Sequence, residues 1–233
     1  MSIARNLRLA ALAALCLAWS VPAYSQQTLA VLDFDNNSIM DRQRLEPLRK
    51  GLAQMFISEL SSISSLRLVE REDLQRVVEE MKLAQSGMID AGTAQQVGRL
   101  LGAQHLLLGG FVAAGGKIRL DVRIVHVETG RTVKAEEKTG KENELFDLVT
   151  ALNRKLIRDL VDRMAPEDEA ALGEFRNVKF SALLLFSQGV ASEDRRDYAA
   201  AREKYRQALR EDGGFTAAKL RLATLEKMDS KQH

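Results

Sequence analysis

Thr28 to Phe34 reads TLAVLDF, a near-continuous apolar run of strand length, and such runs suit a strand covered on both faces. From Asp41 to Ser62 the spacing changes. Leu48, Leu52, Phe56 and Leu60 fall four apart, with Met55 and Ile63 beside them, which predicts a helix. Pro47 is welcome only in a first turn, so the helix is expected to start there. Leu66 to Val69 reads as a short strand. Glu72 to Leu83 carries the stripe Leu74, Val77, Val78 and Met81 and reads as a second helix. A third, short helix covers Thr93 to Leu101 and stops at Gly102, a natural C-terminal cap.

Three strands follow. Gln104 to Val112 is mostly apolar, and Gly115-Gly116 turns the chain. Lys117 to Val127 alternates: Ile118, Leu120, Val122 and Ile124 share one face, and Arg119, Asp121 and Arg123 the other. After a second turn at Glu128 to Arg131, Thr132 to Thr139 predicts a polar edge strand. A long helix from Asn143 to Met164 closes this part. Pro166 to Glu174 is acidic and reads as a linker, and the remaining chain is helical only, over Val178–Ser192, Asp197–Glu211 and Phe215–Met228. Strands mixed with helices, followed by helices alone, predict an α/β (α+β) body, a small mixed sheet flanked by helices, and an all-α tail. The expected division is residues 26–164, a linker at 165–176, and a helical module at 177–233.

The first residues change the picture of where the chain works. Arg5 and Arg8 precede an apolar run from Leu9 to Trp19, and Val21-Pro22-Ala23-Tyr24-Ser25 places small residues at Ala23 and Ser25. This is the secretory pattern, so residues 1–25 are expected to be a cleavable signal peptide, cut between Ser25 and Gln26. The run is shorter than the roughly 20 apolar residues a spanning helix needs. Cys16 raises lipidation as an alternative, but Leu15 before it and Ala13 two places earlier reverse the required small-residue and leucine positions.

The full chain holds 34 basic and 32 acidic residues, and losing Arg5 and Arg8 leaves 32 of each. A mature chain near neutrality has no global field to hold nucleic acid, so no nucleic-acid partner is expected. Cys16 is the one cysteine, which excludes disulfides, a cysteine nucleophile and thiolate metal sites from the mature chain.

Three stretches together resemble the CsgG/HfaB family, whose namesake is the outer-membrane secretion channel for curli fibres. They are AVLDFDNNS (Ala30 to Ser38), LVEREDLQRVVEEM (Leu68 to Met81) and GTAQQVGRLLGAQHLLLGGFV (Gly92 to Val112), the last followed by RLDVRIVHVETGRTV (Arg119 to Val133). The resemblance spans nearly all of residues 28–164 and implies helices packed on a small mixed sheet, in an envelope protein. The sequence departs from the channel in two ways. The lipobox fails, and the hairpin from Gln104 to Val127 turns within a few residues, where the channel inserts long pore strands. The tail resembles one tetratricopeptide repeat: Gly189, Ala201, Tyr205 and Ala208 stand where that repeat packs small and aromatic residues, and Tyr198 where its second helix often has an aromatic.

Catalytic motifs are near misses. Asp33-Phe34-Asp35 after an apolar strand looks like the nucleophile strand of haloacid-dehalogenase phosphatases, but the later acid pair that would hold magnesium is missing. As a calcium loop, the same stretch has Ser38 and Arg44 where Gly and Glu belong, so a turn is the simpler reading. Gly110 to Lys117 fails as a phosphate loop and reads as a hairpin turn. His105 and His126 lack further ligands and read as sheet residues. No catalytic, cofactor or metal residue is therefore named.

The expected function is that of an exported, non-catalytic periplasmic or outer-membrane-associated accessory protein that binds protein partners. Homo-oligomers and peripheral membrane association are compatible with it. The alternatives are a curli-type channel subunit and, more remotely, a phosphatase-like enzyme.

Overall fold

The computed structural model describes residues 26–81, 91–161, 165–173 and 176–230. The expected signal peptide, ending at Ser25, lies outside the described residues, and Gln26 is the first residue inside them. No helix among the described residues is long and apolar enough to cross a membrane.

The apolar run after residue 27 forms β1 (Gln27–Val31), and two further residues, β2 (Asp35–Asn36), continue beside the same neighbour. The chain then runs through α1 (Arg42–Leu45), α2 (Leu48–Leu60), β3 (Leu66–Leu68), α3 (Arg71–Glu80) and α4 (Ala91–Leu100). Three long strands follow, β4 (His105–Ala114), β5 (Lys117–His126) and β6 (Thr132–Lys141), and then α5 (Leu145–Ile157). The remainder is α6 (Pro166–Ala171), α7 (Phe180–Asp194), α8 (Tyr198–Glu211) and α9 (Thr216–Ser230). This is the mixed sheet with flanking helices and a helical C-terminal region that the patterning predicts. Pro47 sits at the N-terminal boundary of α2, where it costs no hydrogen bond.

The sheet order is β3-β1-β4-β5-β6, with β2 also paired to β4. β1 runs parallel to β3 and β4, and the last three strands are antiparallel. Gly115 and Gly116 both take positive φ, 58° and 75°, as a two-residue hairpin turn matched to strand twist demands. β1 is covered on both faces: Leu29 and Val31 enter the main core, while Ala30 and Leu32 enter a second, smaller one beneath α3 and α4.

The main core runs without a break from the sheet through α2 and α5 into the tail. Leu52, Phe56, Leu152 and Leu156 belong to the same cluster as Phe186, Val190, Tyr205 and Phe215. Ring contacts carry it across: Phe146 of α5 meets Phe215 at 5.8 Å, and Phe215 meets Phe186 at 4.9 Å. Gly51 of α2 faces Ser187 of α7 so closely that a Cβ on Gly51 would stand 2.7 Å from that of Ser187.

Three short elements escape the pattern reading: β2, α1 and α6. The last lies in the stretch Pro166 to Glu174 that reads as a linker, where Pro166–Ala171 is helical with proline in its first turn. Asp168 is buried there, and its carboxylate accepts hydrogen bonds from the Ser64 amide and hydroxyl, the latter at 2.9 Å. An acidic stretch that looks solvated is thus held by the turn before β3.

Candidate functional site: a charged cleft on the bare half of the sheet

Strand pairing fixes which side chains share a face. Opposite residues of β4, β5 and β6 place Leu108, Gly110, Val112 and Ala114 beside Arg123, Asp121, Arg119 and Lys117, with Ala135, Glu137, Thr139 and Lys141 beyond them. The opposite face is the main core. On this second face, α3 and α4 cover β1 and the near side of β4, and the cover stops there. Where it stops lies a cleft of about 600 Å³. Leu32, Leu74, Val78 and Leu108 supply its apolar parts. Asp33, Asp35 and Asn37 from the chain after β1, Arg49 and Lys50 from α2, and Asp121, Arg123 and Glu137 from the sheet supply the charged and polar ones.

Two glycines let the chain after β1 pass so close to β4. A Cβ on Gly109 would fall 2.3 Å from the Phe34 ring on the core side. One on Gly110 would fall 2.8 Å from the Asn37 amide on the cleft side. The loop is tied down further. Asn36 Nδ2 donates to the Arg42 carbonyl at 2.9 Å, its Oδ1 accepts from the Ser38 amide at 3.1 Å, and Ser38 Oγ accepts from the Ala113 amide at 2.9 Å. The reading of Asp35 and its asparagines as a turn is corrected: Asp35 and Asn36 pair in parallel with Gly110 and Phe111, and the chain bends only beyond Ser38.

At the back of the cleft four charges interlock. Arg71, fully buried, donates through Nη2 to Asp33 at 2.8 Å, and through Nε and Nη2 to Asp194 at 2.9 Å each. Lys50 lies 3.4 Å from Asp33 and also pairs with Asp194. Burial alone would raise the Asp33 pKa, but Arg71 and Lys50 outweigh it and hold the carboxyl below its ordinary range. For Arg71 the burial penalty is likewise overcome by the two aspartates, which raise its pKa. Asp35 behaves oppositely: burial raises its pKa against the pull of Arg49 and Arg123. An Asp33 locked between two cations is occupied structurally, which speaks against the nucleophile reading of the Asp33-Phe34-Asp35 motif.

His105 and His126 are a cross-strand pair, edge to face at 5.3 Å, and burial together with His126 lowers the His105 pKa. No group of three or more His, Cys, Asp or Glu among the described residues is placed to hold a metal ion. In the tail, the space above Gly189 is filled by Tyr205, whose ring would meet a Cβ there at 2.4 Å. Ala201, Tyr205 and Ala208 are fully buried, whereas Tyr198, the first residue of α8, is 37% exposed and stands outside that packed set.

Sequence reading passes over Lys50, Arg71 and Asp194, and places Arg123 only on the polar face of its strand. Nothing local marks them: Arg71 opens an acidic helix as many solvated arginines do, and its partner Asp194 lies 123 residues away.

The fold and cleft define a mixed α/β body joined to helices through its own core. Residues 13–119 match the family described as curli production assembly/transport component CsgG, so the chain carries a CsgG-like segment. Among solved structures it is similar to the LpoB C-terminal domain from Salmonella enterica at 18% identity and TM-score 0.38, covering 50% of this chain and 84% of that one. It is also similar to lipoprotein GNA1162 from Neisseria meningitidis, at 16% identity and TM-score 0.39, covering 55% and 94%. A third is the PelC dodecamer from Paraburkholderia phytofirmans, at 15% identity and TM-score 0.37, covering 60% and 91%. A search of curated proteins found no match.

Proposed function

We propose that this chain is an exported envelope protein that acts by binding other proteins and not by catalysis, as an accessory to assembly or secretion. The observation that carries the reading is the CsgG-like match over residues 13–119. The secretory pattern before Gln26 supports export. The locked state of Asp33 argues against phosphoryl chemistry at that motif, since a nucleophile held by two cations is poorly placed to attack. The tail, with Gly189, Tyr205, Ala201 and Ala208 packed together, supports one tetratricopeptide-like helix pair serving as contact surface and buttress. A channel subunit is less well supported, because β4 and β5 join through Gly115-Gly116 with no inserted strand pair between them.

The test is fractionation of cells producing the chain. The expected result is release by osmotic shock of a product beginning at Gln26, with no phosphoesterase activity. Retention in the cytoplasm, or turnover of a phosphoester that is lost in Asp33→Asn, would refute the proposal.

A further inference from the structure

The five residues between β2 and α1 form a closed loop with an apolar apex. Asn36 fixes both of its ends. Its Nδ2 donates to the Arg42 carbonyl at 2.9 Å, and its Oδ1 accepts from the Ser38 amide at 3.1 Å. Ser38 Oγ accepts from the Ala113 amide, which fastens the loop to the hairpin end of β4. Ile39 and Met40 stand at the apex, and Asp41, at φ 55°, turns the chain directly after them. Ile39 is 95% exposed and Met40 72%. A pair of adjacent large apolar side chains, held out in water by a loop that is itself tied down, marks a contact point.

The charges beside the apex have one dominant sign. Arg42 and Arg44 follow it against the single Asp41, which Arg44 holds at 3.2 Å. Arg42 pairs with no carboxylate among the described residues. The hairpin beside the loop adds nothing to this sign, since Lys117 and Lys141 are matched there by Glu142 and Glu144. Asn37, Asp41, Arg42, Gln43 and Arg44 are all exposed, so the chain around the apex offers it no apolar wall. A stable protein contact buries roughly 800 Å² on each partner in matched shapes, more than two side chains on a tip supply. A bilayer asks for no matching shape. It takes apolar side chains at the acyl boundary and arginines at the headgroups just above them.

We infer that this loop is a membrane-contact tip, in which Ile39 and Met40 enter the boundary of a bilayer while Arg42 and Arg44 meet its anionic phosphate headgroups. The inference goes beyond the partner-binding reading and does not rest on it. Nor does it depend on whatever precedes Gln26. β1 runs parallel to β4 with Leu29 level with His105, so the chain enters the sheet at the end opposite Ala113, about 26 Å away along β4.

The probes are two sets of vesicles, one of phosphatidylglycerol mixed with phosphatidylcholine and one of phosphatidylcholine alone. Protein cut after Ser25 is expected to sediment with the first and far less with the second. Ile39→Ser combined with Met40→Ser should weaken that binding about tenfold, and Arg42→Gln combined with Arg44→Gln to a similar degree, with circular dichroism unchanged in both. The one tryptophan of the chain, Trp19, lies before the cut, so Met40→Trp supplies a lone indole. Its emission should shift to the blue on the anionic vesicles and be quenched by lipids brominated on their acyl chains. Equal binding to both vesicle sets, indifference to the substitutions, or an unquenched indole overturns the assignment. A blue shift with protein concentration alone would make the apex a self-association contact and overturn it. Photo-cross-linking from position 40 to an envelope protein, with no vesicle binding, would make it a protein contact and overturn it too. A chain released by osmotic shock that ignores both vesicle sets sinks the membrane tip and leaves the partner-binding reading standing.

Discussion

Glu59 shows how one buried residue sets a pH response. It is 1% exposed and accepts from the Thr150 hydroxyl and from Asn153 Nδ2 at 3.0 Å, with no ion pair to a cation among the described residues. Burial is the largest influence and raises its pKa despite those two donors. An acid whose folded pKa lies above its unfolded value stabilises the fold fully below the unfolded value, and that contribution is lost as pH rises through the folded one. The wild type therefore carries a penalty at pH 7. Gln in its place has no charge to bury; its carbonyl can still accept from Asn153 Nδ2, and its amide can donate to the Thr150 hydroxyl oxygen. Glu59→Gln is expected to melt at a higher temperature than wild type at pH 7, and the gap should close towards pH 4. Thermal denaturation at both pH values checks this, and an unchanged gap would refute it. Nothing in the run of residues around Glu59 marks it as different from a surface glutamate of α2. Burial here is decided by Thr150 and Asn153, which arrive about ninety positions later.

At the scale of elements, most of the fold is legible from periodicity because period four and period two leave unmistakable stripes in α2 and β5. Elements held by side chains and not by stripes are illegible: β2 exists because Asn36 and Ser38 fasten it to its surroundings, and α6 because Asp168 caps the turn at Ser64. The candidate cleft was half visible. Alternation along β5 shows an exposed charged row, but that α3 and α4 stop short of it is a tertiary fact. The α2–α7 packing offers a direct test. A methyl at Gly51 would meet Ser187 Oγ at 1.8 Å, so Gly51→Ala should destabilise by about 1–3 kcal/mol through overpacking. Ser187→Gly removes the obstructing atoms, and the double variant is expected to recover much of the loss. Denaturant midpoints of the four proteins give the coupling, and simple additivity would deny the contact.

For the whole molecule, the unbroken core predicts how it comes apart. Tyr198 and Tyr205 both lie in α8, and no other tyrosine follows Tyr24. Tyrosine emission from protein cut after Ser25 thus reports on the tail, while far-ultraviolet circular dichroism reports on everything. With Phe146, Phe215 and Phe186 in one chain of ring contacts, the two signals should trace one shared transition. Separated transitions would show that the helical module stands alone. The interlocked charges give the second prediction at this scale. Arg71→Ala leaves Asp33 and Asp194 in place with Lys50 as their remaining cation, and should cost about 3–5 kcal/mol. Chemical denaturation of the variant measures it, and a loss below about 1 kcal/mol would mean that water already reaches the pair.

The same guanidinium orders events in time. Asp33, Lys50 and Arg71 stand far ahead of Asp194 in the chain, 123 positions in the case of Arg71, so wherever an exported chain folds, Arg71 must stay wet until that distant partner meets it. Dehydrating that cation early, with only half its counter-charge, is opposed by the cost of burying an incompletely paired ion. The sheet-and-helix body therefore cannot seal itself from its own residues, and its last closure waits for the end of α7 to arrive.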